Sequence, residues 1–518
     1  MAFAVRPYAI GTLIQCFVNG STFTTYGEVK QKLHRIYFEE YFHELKAKTI
    51  VVEENYIDRD YLEDYAAYYD RCFRDYPRRT HRLHFFDIEF TEDDFDAFLA
   101  GGSDLLSEQQ LQASYLGFVV VKPLPQSVVG RTCLKTYPSD NGRRFFPSLR
   151  TYEVHLFGLR LEVQSLAYQE QDTVVAACAT SALWSCFQGT GKLFQHSIPP
   201  PVEITNWAGE HMPENIVVAS ARAFPNAGLT ASQMAYAVRR VGLEPVVVGT
   251  KDRHGLNGVA YAFLRGRIPC VLVCSLKVWK DGGFESIGQH AVAVTGFSLP
   301  DTPPQSHVDT GFQLRSGRID KLYGHDDQVG PFARMSWPTA ADAALGLPSE
   351  EGILKTSWQN NVYADIGFVL LPLYHKIRIP YSEIHDAMLE LDRIAEGVRV
   401  RLMPQVSRAE WDIYLTTASD YKTSVREDYL SWGIDPRESL YKELPRFLWR
   451  VTVRVDDQVQ LEFLFDATGI ANHDLLVHAV RTTGSGYALI LSGVAVVNRK
   501  QSIEAGRQAE AVLNWIHP

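Results

Sequence analysis

Gln171-Asp172-Thr173-Val174-Val175-Ala176-Ala177-Cys178-Ala179-Thr180-Ser181-Ala182-Leu183-Trp184 is the stretch on which the reading of this chain turns. The residues after Cys178 are small or helix-compatible, and they predict a helix over 178–187 that opens on the cysteine. A helix N-terminus carries partial positive charge and free N–H groups. Both favour a nucleophilic thiolate, and the same N–H groups can hold a developing oxyanion. Gln171 stands just upstream and can add an amide N–H to that hole. Taken alone, Cys178 reads first as a small buried hydrophobe, the usual fate of a free cysteine.

Its partners lie downstream. Gly288-Gln289-His290-Ala291-Val292-Ala293-Val294-Thr295-Gly296-Phe297 reads as a strand of period two that begins on a histidine. A histidine at a strand's first position can project into a cleft from a rigid element. Farther on, Lys321-Leu322-Tyr323-Gly324-His325-Asp326-Asp327-Gln328-Val329-Gly330-Pro331 reads as a short strand ending in two carboxylates. One of them can accept a hydrogen bond from His290 and fix its tautomer, the orienting role in a triad. Asp326 is the first choice because it comes straight off the strand, and Asp327 is the alternative. By itself each signal also has a plain reading, as a core histidine or an Asp-rich turn.

The order of the three carries more than any one of them. A cysteine, a histidine roughly 110 residues on and then an aspartate is the papain-type chain order. The central region resembles the C39-like branch of the papain-like cysteine peptidases. The likeness rests on Gln171 to Trp184, on Gly228-Leu229-Thr230-Ala231-Ser232-Gln233-Met234, on Arg267-Ile268-Pro269-Cys270-Val271-Leu272-Val273, and on His290 to Gly296. It covers about a third of the chain. The resemblance implies a papain-like domain with Cys178 as nucleophile, His290 as base, Asp326 as orienter and Gln171 at the oxyanion hole. Two positions depart from the family pattern. Ala179 stands where glycine is usual, and Gln171 is one residue farther from the cysteine.

Composition sets the frame. With 518 residues, two or three domains are expected. A hydrophobic content of 46% supplies substantial cores. A net charge of −10 and the lack of a basic stripe argue against nucleic acid as a partner. The helix-turn-helix look of Leu229 to Pro245 falls with that argument. No phosphate-binding glycine motif follows a strand. No secretion signal is read at the N-terminus, and no run approaches the roughly 20 apolar residues of a membrane span. Tyr487 to Val497 reads as a buried strand. Seven cysteines without a signal suggest reduced thiols in the cytoplasm. Cys186, Cys270 and Cys274 read as core, and His325 as an exposed turn residue. Neither a metal nor a cofactor is expected.

The expected fold class is α+β. A papain-like domain over 158–345 is flanked by a mixed α/β domain over 1–157 and an α+β domain over 346–518. Residues 338–366 read as loop. Helices are expected over Thr230 to Val241, Tyr381 to Gly397 and Gln501 to Trp515, and strands over Phe447 to Val455 and Leu461 to Phe465. The expected function is cleavage of a peptide or isopeptide bond in a protein or peptide substrate. The flanking domains would recognise substrate or a regulatory protein partner. Two alternatives stay open. The same thiol chemistry could serve acyl transfer, as in transglutaminase-like or deubiquitinase-like enzymes. Ala179 and the displaced Gln171 leave room for an inactive papain-like scaffold.

Overall fold

Alternating apolar residues build the first sheet. The computed structural model describes residues 2–102, 105–172, 175, 177–211, 228–349, 351–470, 472–482, 486–501 and 506–516. Strands β1 (Phe3–Pro7), β2 (Thr49–Tyr56), β3 (Thr80–Phe86), β4 (Tyr115–Val121) and β5 (Val129–Leu134) pair antiparallel in chain order. Leu83 and Phe85, and Val119 and Val121, point to one face, where Leu13, Phe17, Phe38 and Phe42 from helices Ile10–Ser21 and Leu33–Glu44 cover them. A two-residue β6 (Arg144–Phe145) follows, then a hairpin of β7 (Arg150–Leu156) and β8 (Leu159–Ser165). β2 ends at Tyr56 and is followed by helix Arg59–Ala67, whose N-cap Asp58 accepts from the Tyr61 N–H.

The second sheet closes on itself. Strands β9 (Glu244–Gly249), β10 (Cys270–Lys280), β11 (Gly283–Ser298), β12 (Lys321–Asp326), β13 (Gly330–Ser336), β14 (Ile353–Lys355) and β15 (Val362–Leu373) belong to it. β10 pairs antiparallel with both β11 and β15, so the run β10-β11-β12-β13-β14-β15 returns to β10. Closure satisfies backbone groups that an open edge would leave unpaired. β9 continues from β15, and β6 pairs with β11. Residues 338–366 are therefore not simply loop, for they contain helix Ala340–Ala344, β14 and the start of β15. The boundary expected at 345/346 falls inside this sheet.

Internal packing divides the chain into two units. The first comprises Met1–Lys251, Arg267–Ser298 and Lys321–Pro372. In it, Tyr323, Val329, Phe332 and Ala333 of the closed sheet share one core with the helices and strands of the first sheet. That shared core places the first 157 residues in the same unit as the closed sheet. Helix Ala231–Arg240 has Thr230 as its N-cap, in a reciprocal capping box with Gln233.

The second unit comprises Asp252–Gly266, Leu299–Asp320 and Leu373–Pro518. Strands β16 (Glu410–Thr417), β17 (Phe447–Val455), β18 (Gln458–Asp466) and β19 (Leu476–Arg481) form an antiparallel sheet. Leu448 and Leu464 face helix Ala418–Trp432 through Tyr421, Val425 and Tyr429. Trp449, one residue on, faces the other way, to Phe263 of helix Arg253–Arg265 at 5.5 Å and to Tyr381 of helix Tyr381–Leu402 at 6.0 Å. The expected strand at 487–497 is instead part of helix Gly486–Gln501. Its buried residues, Tyr487, Ala488, Ile490, Leu491, Val494 and Ala495, follow the three-and-four spacing of a helix stripe. A continuous apolar run hides that period, which is why strand and helix look alike in the sequence. Of the expected helix at 501–515, Arg507–Ile516 is helical, and residues 502–505 lie outside the described set. Among the described residues no helix is long and apolar enough to cross a membrane.

Candidate active site

Cys178 stands in the first turn of a 17-residue helix, Cys178–Phe194, longer than the sequence suggested. Ala177 is the N-cap, with extended backbone and no side-chain cap. The first-turn N–H groups are thus not taken by a capping side chain. Small residues let this helix lie close to its neighbours. A Cβ on Gly189 would meet Pro269 at 3.1 Å, and Ser185 Oγ donates to the Ala167 carbonyl at 3.1 Å. Cys178 is half-buried, whereas Cys16, Cys133, Cys186, Cys270 and Cys274 are buried. Burial pushes the Cys270 and Cys274 thiols up to about 12, and that of Cys186 well above its ordinary value. Those thiols fit the core role expected for them.

His290 does not begin its strand. It lies within β11 at the point where the strand changes from exposed to buried. It pairs in register with Cys274 of β10. Its Nε2–H donates to Asp326 Oδ1 at 3.1 Å. The Cys178 thiol lies near enough to the same imidazole to help raise its pKa. With Nε2 committed to Asp326, Nδ1 is the nitrogen left for the sulfur.

Asp326 closes β12 and accepts three hydrogen bonds. Oδ1 takes His290 and the Gln328 N–H at 3.1 Å, and Oδ2 takes the Trp358 indole N–H at 2.8 Å. The Trp358 ring stands edge-on to His290 at 5.7 Å. Sequence reasoning missed Trp358, which sits in a loop with no periodic signal. Asp327 behaves differently. Its nearer carboxylate oxygen is 3.7 Å from His290 Nε2, and both oxygens are buried without a hydrogen-bond partner among the described residues. Its backbone carbonyl is pinned by His34 Nε2–H and by the Tyr168 hydroxyl, each at 3.1 Å. Tyr37 donates to the Pro331 carbonyl at 2.5 Å, from the same N-terminal helix as His34. The turn that carries both aspartates is therefore held from the first 44 residues of the chain.

Charge follows from these contacts. Burial alone would lower His290, but the Asp326 carboxylate, the bond to Asp326 and the Cys178 thiol raise it well above the usual imidazole range. Burial would raise Asp326, yet the His290 charge and the bonds from His290, Trp358 and Gln328 hold it below its ordinary value. For Asp327, burial dominates. The His290 charge works against it and the Asp326 charge adds to it, and the carboxyl is pushed up to about 7. The site thus pairs an imidazolium with one firmly ionised carboxylate and one that is about half protonated near pH 7.

His325 is not an exposed turn residue. It is buried, donating from Nε2 to the Leu166 carbonyl at 3.0 Å and accepting the Phe332 N–H at Nδ1. Inside β12 it faces the protein interior, and burial lowers its pKa to about 3. Gln171 is half-buried, and residues 173, 174 and 176, between it and Cys178, lie outside the described set. Gln169, two residues earlier, buries an amide nitrogen that has no partner among the described residues. A ring nitrogen of His290 and one oxygen each of Asp326 and Asp327 lie within 4.8 Å of one another, a spacing that a metal ion could use. Asp326 already spends its oxygens on three donors, which favours an orienting role. No protein-family model matches the chain, and no curated protein matches its sequence.

Proposed function

We propose that this chain is a cysteine hydrolase that cleaves a peptide or isopeptide bond, with a papain-like site. The observation that carries the reading is the hydrogen-bonded His290–Asp326 pair, with the Cys178 thiol acting on the same imidazole and Trp358 over the far end. Cys178 attacks the carbonyl carbon as its proton rests on His290. The tetrahedral oxyanion forms beside the helix N–H groups, which are not capped by a side chain. His290 then gives the proton to the leaving amine, and water releases the acyl group by the reverse sequence. Asp326 keeps the imidazole in one tautomer and stabilises its charged form. Gln171 is the sequence-based candidate for a side-chain donor to the oxyanion. Elements outside the site would recognise substrate or a regulatory partner, and the cytoplasm is the proposed compartment.

The test is labelling with iodoacetamide near pH 7, followed by peptide mapping. Cys178 should be modified far faster than the other six cysteines, and His290→Ala should abolish that selectivity. Equal labelling of several cysteines overturns the reading. An added primary amine separates the two chemistries, because an acyl transferase incorporates it and a strict hydrolase does not.

A further inference from the structure

Three histidines meet in the second unit, far from one another in sequence. His254 is in the first turn of helix Arg253–Arg265, His307 is in the loop before Phe312, and His385 is in helix Tyr381–Leu402. His254 Nε2 and His385 Nε2 are 3.2 Å apart. The His307 ring stands edge-on to His254 with centroids 4.7 Å apart. All three side chains are partly exposed.

We infer that His254, His385 and His307 form a binding site for a divalent transition-metal ion of the zinc class. Two imidazole nitrogens bound to one tetrahedral zinc at about 2.0–2.1 Å lie about 3.3 Å apart, close to the separation seen here. The contacts behind the rings fit as well. His385 donates its Nδ1–H to the Asp386 carboxylate at 2.9 Å, and His307 Nδ1 pairs with the Thr310 hydroxyl at 3.1 Å. For His385 this leaves Nε2 as the ligand nitrogen and fixes the ring, the usual outer support of a metal-bound histidine, whereas the His307 ring must turn and give up its Thr310 contact to reach the ion. Phe312, fully buried, stands at 5.5 Å from His385 and 6.4 Å from His254 and gives the rings an apolar floor.

The backbone of the His307 loop is pinned to Phe312, by the His307 N–H to the Phe312 carbonyl at 3.0 Å. The change needed to close the site is therefore a swing of the His307 ring. Three imidazoles leave a fourth position on the ion for water. No part of this site belongs to the proposed active site.

The experiment is a calorimetric titration of Zn2+ into the full chain carrying Cys178→Ala and His290→Ala, which removes the thiol and imidazole of the proposed active site. The expected result is one ion per chain with a Kd of about 1 μM or tighter. In that background His385→Asn should lose saturable binding, and Asp386→Asn should weaken it about tenfold or more. Zinc should also raise the Tm of the background protein and leave that of His254→Asn unchanged. Circular dichroism establishes that each variant is folded. Absence of saturable binding in the background protein overturns the inference. So does unchanged affinity in folded His254→Asn and His385→Asn.

Discussion

At the scale of single residues, the two neighbouring aspartates divide their roles by hydrogen bonding. Asp326 has three donors and Asp327's carboxylate has none among the described residues. In the proposed hydrolase, Trp358 acts through Asp326 as a positioning residue. Trp358→Phe removes the indole N–H and leaves Asp326 Oδ2 unpaired, a loss of about 1.5–3 kcal/mol for a bond to a charged group. We expect kcat/KM on the substrate to fall about tenfold or more, with an altered pH profile. A variant with wild-type rates and profile would remove Trp358 from the site. Asp327 gives a pH signature. Its carboxyl titrates near pH 7 when folded and near pH 4 in the unfolded chain. Between those values the folded state holds the extra proton, so stability is lost as pH rises from about 4 to about 7. Asp327→Asn lacks this linkage, and its Tm relative to wild type should rise between pH 5 and pH 8. A constant difference across that range would show that Asp327 is ionised throughout.

At the scale of elements, what was readable in the chain follows from local periodicity. The helix opening on Cys178, the strand through His290 and the strand ending at Asp326 each repeat within a few residues. Their limits did not, because they depend on partners. β11 begins seven residues before His290, since Trp279 and Lys280 pair with Phe284 and Gly283 across the hairpin. A close approach also sets β4. Gly117 has φ +116° and lies against the β5 backbone, where a Cβ would fall 2.0 Å from the Cys133 carbonyl oxygen. Backbone cannot yield there as a side-chain end can. Gly117→Ala should destabilise the protein by about 3 kcal/mol or more from strain and clash together. Urea unfolding measures this, and a shift below about 1 kcal/mol would mean that the strand relaxes freely.

At the scale of the whole molecule, the chain passes between its two units five times. A boundary drawn along the sequence therefore cuts through structure. A fragment of residues 158–345 lacks β14 and β15 and leaves one edge of β10 open. It also lacks His34 and Tyr37 of helix Leu33–Glu44, which hold the Asp326 turn, and the core residues of the first sheet. We expect this fragment to be aggregated or unfolded by size-exclusion chromatography and circular dichroism, whereas the full chain folds. A soluble fragment with native-like near-ultraviolet dichroism would contradict the shared core.

The sequence by itself determined the mixed α and β elements and the chain order of Cys178, His290 and Asp326, because side-chain period and capping residues act over a few positions. Tertiary structure decided which aspartate meets the imidazole, that Trp358 holds it, that His325 is buried and that six strands close. It also brought together His254, His307 and His385 from three separate segments. These outcomes depend on which distant groups share a buried environment, and no local pattern in the chain records that.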